Sequence, residues 1–391
     1  MEPPTATPTG TGFREALFGN RTQGFLPRRT RSTGARPEAR GGTLLQSTER
    51  DGDLDTPPAG PGALARPLPA LDDPEGERVP SGLPPVVDAH VHVFPEPLMA
   101  AIRRWFDAHG WPARYRLSSE ELIDFLLSRG VVHLVLLHYA HRPGVARGLN
   151  RYMAELCRKT PRVTGLATVF PGEPGAEAIL AEALDLGLAG VKLHAHVQGV
   201  DVGGPEVRRV CEWCAARGAP VVAHFGREPK SPAYSDDPHA LCGAERVSQL
   251  LETVPELRLC VPHLGADEFE AYARLQERYD NLWLDTTMML AGYFPGMEPP
   301  PLERFRLDRV MYGSDFCNLP YAWDRELKAV AAAKLEREER EGLLWRNAAR
   351  FFSLDVQGSG GESKEQDRPG KEGEQGHGQG RSGRAGALGD P

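Results

Sequence analysis

The sequence predicts a closed (β/α)8 barrel of the α/β class, and three observations carry that prediction. Short apolar runs alternate with amphipathic stretches eight times between residues 85 and 355. The runs are apolar on both faces, as parallel strands covered by helices must be. About 270 residues is also the size of such a barrel, whose crossovers are right-handed. An open doubly wound sheet is the alternative, but no glycine-rich phosphate loop follows the first run.

The elements follow in order. Val86 and Val87 are β-branched and open the first strand, which Pro95 stops. Leu98, Ile102, Trp105 and Phe106 lie at helical spacing, and a second helix opens with a capping box from Ser118 to Glu121 and closes at Gly130. "VVHLVLL" (131–137) is the second strand. "LNRYMAELCRK" and "VTGLATVF", then "AEAILAEALDLG" and "LAGVKLH", repeat the helix–strand unit. "PEVRRVCEWCAARG" is a helix ended by Gly218, followed by the strand "APVVAHFG". "AERVSQLLETVP" leads to "LRLCVPH", and "ADEFEAYARLQERY" leads to "NLWLDTT". "DRVMYGSDF" is the eighth strand, and the helices "DRELKAVAAAKLEREEREGLLW" and "NAARFF" close the unit.

Both ends read differently. Residues 1–84 are rich in Pro, Gly, Thr and Arg, and residues 356–391 are rich in Gly and charge; such segments bury too little apolar surface to offset the entropy of ordering. They are expected to be disordered tails around a single barrel over 85–355. A net charge of −8 and the absence of a basic stripe in that unit argue against nucleic acid as a partner. No apolar run reaches the ~18 residues of a membrane span, and the start lacks a secretory h-region. The six cysteines include Cys211 and Cys214, on one helix with no second pair to complete a zinc site. They read as packing residues, and the expected setting is cytoplasmic, with a homodimer admissible.

The polar residues fall at strand ends. Asp88, His90 and His92 occupy alternate positions and should project together from the first strand. Lys192, His194 and His196 alternate likewise after the fourth; His224 ends the fifth, His263 the sixth and Asp315 the eighth. In an α/β barrel those ends share the face on which active sites form. A lone strand-end histidine is ordinarily structural, but so many converging on one mouth point to a divalent metal of the zinc type.

"DAHVHVF", "GVKLHAHVQG", "PVVAHFG", "LRLCVPHLG", "NLWLDTT", "DRVMYGSDF" and "NAARFF" together resemble the amidohydrolase superfamily, in particular the amidohydrolase 2 branch that includes aminocarboxymuconate semialdehyde decarboxylase. The resemblance covers about residues 85–355 and implies a TIM barrel. It also implies that His90, His92, His224 and Asp315 ligate the metal, with His263 beside the reacting groups as an acid/base. One divalent ion is expected, zinc first, with Mn2+ or Fe2+ as alternatives. In some superfamily members a lysine at the fourth strand is carboxylated and bridges two metals, so Lys192 with His194 marks a less favoured binuclear site; the alternative is a cation for a substrate carboxylate. Tyr139, Arg142, His196 and Arg227 are expected at the pocket rim, and residues 286–305 as an apolar lid. A divalent ion can activate water, and Asp315 can take its proton, which predicts hydrolysis of an amide, ester or lactone of a small substrate, with an anionic one admissible. Non-oxidative decarboxylation by the same ligands is the alternative.

Overall fold

The computed structural model describes residues 70–227, 233–234, 236–293 and 298–356, so the expected tails lie outside it over 1–69 and 357–391. Strands β1 (Val86–His92), β2 (Val131–Leu137) and β3 (Val163–Gly165) pair in parallel. A second parallel run follows, of β4 (Ala167–Thr168), β5 (Val191–His194), β6 (Val221–His224), β7 (Leu259–Val261), β8 (Leu282–Asp285) and β9 (Val310–Met311). The third expected strand is thus divided at Leu166, whose N–H still donates to the Leu136 carbonyl at 3.0 Å. The chain beyond β9 closes the circle on β1. Ala89 N–H donates to the Tyr312 carbonyl (3.0 Å), Asp315 N–H to that of His90 (2.9 Å) and His92 N–H to that of Phe316 (2.8 Å). Eight strands therefore form a (β/α)8 barrel.

Its two layers are separate apolar clusters. Val87, Ala89, Val135, Leu137, Leu166, Val222, Cys260 and Met311 come from strands all round the barrel and can meet only inside it. Trp283, Ala348, Phe351 and Phe352 join the same cluster and close the end away from the site. The outer cluster packs strand residues such as Val86 and Val91 against the helices.

The first strand departs from strict alternation. Asp88 pairs with Leu134 and Val91 with Leu136, three steps of β1 against two of β2, which is a β-bulge. Val87 and Ala89 face inward before it, so Asp88 faces outward and does not project with the two histidines as the i, i+2 rule predicts. The extra residue turns His90 and His92 into the barrel.

Two further expectations need correction. The helix expected over 324–345 is two, α10 (Arg325–Ala332) and α11 (Arg337–Glu341), because Ala333 is extended and Glu336 forms a new capping box with Glu339. Here α-numbering counts the helices of the chain in order, from α1 (Glu96–His109), α2 (Ser119–Ser128), α3 (Ala146–Lys159) and α4 (Ala176–Asp185) to α5 (Ala195–Gln198), α6 (Pro205–Ala215), α7 (Pro238–Leu241), α8 (Ala244–Thr253) and α9 (Phe269–Arg278). Secondly, residues 70–84, expected within the disordered arm, form a strap on the barrel. The Asp73 carboxylate accepts from Tyr293 OH (3.0 Å), Ala322 N–H (3.3 Å) and Arg325 (3.1 Å). Tyr115 OH donates to Glu75 (2.5 Å), and the Trp323 indole donates to the Gly76 carbonyl (3.0 Å). These polar side chains supply what the strap lacks in apolar surface. No helix among the described residues is long and apolar enough to cross a membrane.

The strap makes a stability prediction. Asp73→Ala leaves three donors without their acceptor and should cost about 1–3 kcal/mol, seen as a fall of several degrees in Tm. An unchanged Tm would show that the strap is held by something other than Asp73.

Candidate metal centre

Five of the expected residues meet at the barrel mouth. Ring nitrogens of His90, His92 and His224 all lie within 4.8 Å of one another, and all three side chains are buried. The Nε2 atoms of His90 and His92 are 3.2 Å apart. Asp315 Oδ1 sits 3.1 Å from His92 Nε2 and 3.7 Å from His90 Nε2. His263 Nε2 is 3.0 Å from His224 Nε2. Lys192 enters the same space, its Nζ 2.6 Å from His224 Nδ1 and 3.4 Å from His90 Nε2.

Burial sets the charge state. Desolvation holds His90 and His224 well below the ordinary histidine range, with Lys192 next in effect, and lowers His92 and His263 as well. Burial by itself would raise the Asp315 carboxyl, but the hydrogen bond from the His92 ring, with the His90 and His263 rings beside it, brings it below the usual carboxylate range. The result is three neutral imidazoles with a carboxylate alongside. That donor set fits a divalent first-row ion, because neutral imidazole nitrogens offer lone pairs and the carboxylate offers charge.

The remaining expected residues divide. His194 stacks on His224 (4.1 Å between centroids, 8° between planes) and Tyr139 meets His194 edge-on at 4.9 Å and His92 at 5.7 Å, so both line the cluster. His196 does not continue the strand. β5 ends at His194, residues 195–198 turn helical, and His196 Nε2–H donates to the Gly226 carbonyl at 3.2 Å. Arg142 is exposed on the loop after β2, and Arg227 pairs with Glu268 at 3.4 Å, so neither guanidinium belongs to the buried cluster. The CEWC cysteines are free and buried on α6.

Of the residues that hold the site, the sequence reading missed Asp285 and Gly313, and it placed Asp88 among the site histidines rather than behind them. Asp285, at the end of β8, takes His90 Nδ1–H at 2.8 Å and His263 N–H at 3.2 Å. It fixes the His90 tautomer so that Nε2 presents a lone pair, as carboxylates behind metal-bound histidines do. The signal was present, since "LWLD" ends in a carboxylate as the first strand ends in histidines. Asp88 accepts from Ser314 N–H (3.0 Å) and Ser314 Oγ–H (2.5 Å), and so anchors the residue before Asp315. Gly313 has no room for a side chain: a Cβ there would lie 2.7 Å from His90 Cβ and 2.7 Å from Thr287 Oγ1. Part of the expected lid, residues 286–293, is a buried loop, with Met288 and Met289 almost fully covered; residues 294–297 lie outside the described residues.

Two predictions follow from this electrostatic arrangement. Asp285→Asn keeps an oxygen near His90 but removes the charge, and should weaken metal affinity about 10–100-fold in a metal-competition titration. The metal-free protein should also lose stability as pH falls. Burial depresses eight imidazoles, His90, His92, His133 (to about 4), His138 (to about 3), His194, His196 (to about 3), His224 and His263. Below about pH 6.5 the unfolded chain binds protons that the folded chain refuses, so stability rises with pH across roughly 4–6.5. Burial raises Asp88 to about 7 and also raises Asp285 and Glu326, which act in the opposite sense, but the imidazoles outnumber them. Denaturant midpoints that stay level between pH 7.5 and 5 would contradict this.

Comparison with known proteins agrees with the fold. Solved structures of like fold include an amidohydrolase II (20% identity, TM-score 0.53, covering 69% of this chain and 100% of that one). A TIM-barrel protein from Bordetella bronchiseptica is also similar (18%, TM-score 0.53, 68% and 98%). So is a 5-carboxyvanillate decarboxylase from Novosphingobium aromaticivorans complexed with manganese (16%, TM-score 0.51, 72% and 100%). No curated protein matches. The amidohydrolase family model Amidohydro_2 matches residues 87–354, well over half of the sequence, and the chain therefore belongs to this family of metal-dependent enzymes.

Proposed function

We propose that the chain is a metal-dependent hydrolase that cleaves an amide, ester or lactone of a small carbonyl compound. The observation that carries this reading is the cluster of neutral, buried His90, His92 and His224 with an ionised Asp315 3.1 Å from His92. These four residues would hold a single ion of the zinc or manganese type. Such an ion, when bound, polarises a carbonyl and makes a water more acidic.

The chain's own groups then handle protons. Asp315, kept ionised by its imidazole neighbours, is a general base that takes a proton from water and passes it to the leaving group. His263 cannot serve as a neutral oxyanion donor. Its Nδ1–H is committed to the Thr287 carbonyl at 2.9 Å, which can only accept, so Nε2 turns a lone pair to the site. It therefore fits a proton carrier, donating at Nε2 only after it has been protonated there. Lys192 shares the ring nitrogens of His90 and His224, and a substrate carboxylate is the partner it suits once those nitrogens ligate an ion. Tyr139 and His194 form a ring-lined wall beside it.

That wall, together with a fold shared with decarboxylases, favours one second reading, a non-oxidative decarboxylation of a planar acid. Isotopes separate the two: oxygen-18 from water enters the product of hydrolysis, whereas deuterium from heavy water enters carbon and CO2 is released in decarboxylation.

The test is a panel of lactones, amides and aromatic acids assayed with metal analysis. His90→Ala and His224→Ala should lose both metal and activity, while His263→Ala should keep metal and fall about 10²–10⁴-fold in kcat. Full metal stoichiometry in His90→Ala would refute the ligand assignment. Chelation should abolish turnover and added Zn2+ or Mn2+ should restore it.

A further inference from the structure

Glu326 is a carboxylate with no obvious place in a helix that faces the barrel. It lies on α10, is only 2% exposed, and makes no ion pair among the described residues. A buried carboxylate is costly unless its oxygens are bonded. Both are: Oε2 accepts from Met288 N–H at 2.9 Å and Oε1 from Leu290 N–H at 3.0 Å.

Those two amides belong to the loop that follows β8. Met288 has φ +63°, the left-handed region that a side-chain-bearing residue enters only when its surroundings hold it there. The preceding residue, Thr287, presents the carbonyl that takes His263 Nδ1–H. His263 is itself at φ +59°, at the start of a run with Leu264 and Ala266 also at positive φ. The path is short and continuous: the Glu326 carboxylate, the Met288 and Leu290 amides, the Thr287 carbonyl, the His263 ring, and the 3.0 Å contact with His224.

We propose that Glu326 is a positioning residue: by clamping the Met288 and Leu290 amides it aims the Thr287 carbonyl at His263 Nδ1 and so holds the His263 ring with its Nε2 lone pair turned to the metal centre. Removing the clamp lets the strained loop relax and the carbonyl turn away. The ring then loses the acceptor that selects its tautomer. The two-point clamp matters, since a single hydrogen bond could hold one amide without fixing the peptide plane between Thr287 and Met288.

The experiment uses the full chain with Glu326→Ala and, as the nearly isosteric variant should the first fail to fold, Glu326→Gln. Gln keeps one acceptor but turns an NH2 toward the second amide. In the parent, Met288 and Leu290 amides should be protected from hydrogen exchange, and ¹⁵N signals of the His263 ring should report the Nδ1–H tautomer. In Glu326→Ala both amides should lose protection, in Glu326→Gln only the one that meets the NH2 should, and in both variants the ring should shift toward a mixture of tautomers, while metal stoichiometry stays unchanged. Exposed amides with an unaltered His263 tautomer would overturn the proposal. The consequence for turnover rests on the reaction proposed above, and the two spectroscopic readouts stand without it. On a substrate that is turned over, Glu326→Ala should lower kcat about 10–100-fold with KM little changed, the scale expected of a misaimed catalytic group. In a His263→Ala background the same change should cost less than about twofold. A loss that multiplies fully in that background would show that Glu326 acts on the site by another route, and would overturn the proposal.

Discussion

Desolvation is the constraint on which the rest of this protein depends. An imidazole at the mouth of a barrel would ordinarily be half protonated near neutral pH. Here His90, His92, His194, His224 and His263 are buried together, and burial combined with the charge of Lys192 keeps them neutral. A cluster of neutral rings around one carboxylate is unfavourable for a chain that has nothing to give it, and well suited to a divalent cation. The same desolvation that disfavours protons at these nitrogens frees their lone pairs for a metal.

Such a cluster must be held from outside, because its own members cannot all be satisfied by one another. The surrounding groups supply the restraint. Asp285 bonds two site residues at once, the ring of His90 and the backbone of His263. Asp88, on the outer face of β1, reaches Ser314 and ties the end of the eighth strand to the first. Gly313 lets those two strands approach at the level of His90. Several of the residues so held have backbone conformations that are sparsely populated outside folded proteins: His263, Met288 and Asp315 all have positive φ. The scaffold's bonds offset that strain, and the site inherits its geometry from buried carboxylates around it, Asp285 beside the His90 ring inside the barrel and Asp88 on the outer face of β1.

The strap over residues 70–84 shows the same economy at the periphery. It carries little apolar surface, and it is bound by charged and aromatic partners from three different parts of the fold, Tyr115, Tyr293, and Trp323 with Arg325. Composition alone places such a segment with the tails, because hydropathy measures what a chain can bury and is blind to a few well-placed polar partners.

The sequence by itself determined the strand–helix alternation, the closed parallel barrel, and the convergence of His90, His92, His224, His263 and Asp315 on one end, since each follows from local periodicity and from the rule that strand ends share a face. Even the capping box at Ser118 and the stop at Pro95 were legible, being effects of a few neighbouring residues. What only the tertiary structure decided is where parity and partners mattered. The bulge in β1 reversed the side of Asp88; the helical turn after His194 moved His196 off the strand; Glu268 engaged Arg227; and Glu326 became an anchor of a site it does not visibly border in the chain. A bulge is set by how two strands pair, and a hydrogen bond between Glu326 and Met288 joins residues 38 positions apart. Neither leaves a periodic trace, because each depends on a neighbour that folding alone brings near.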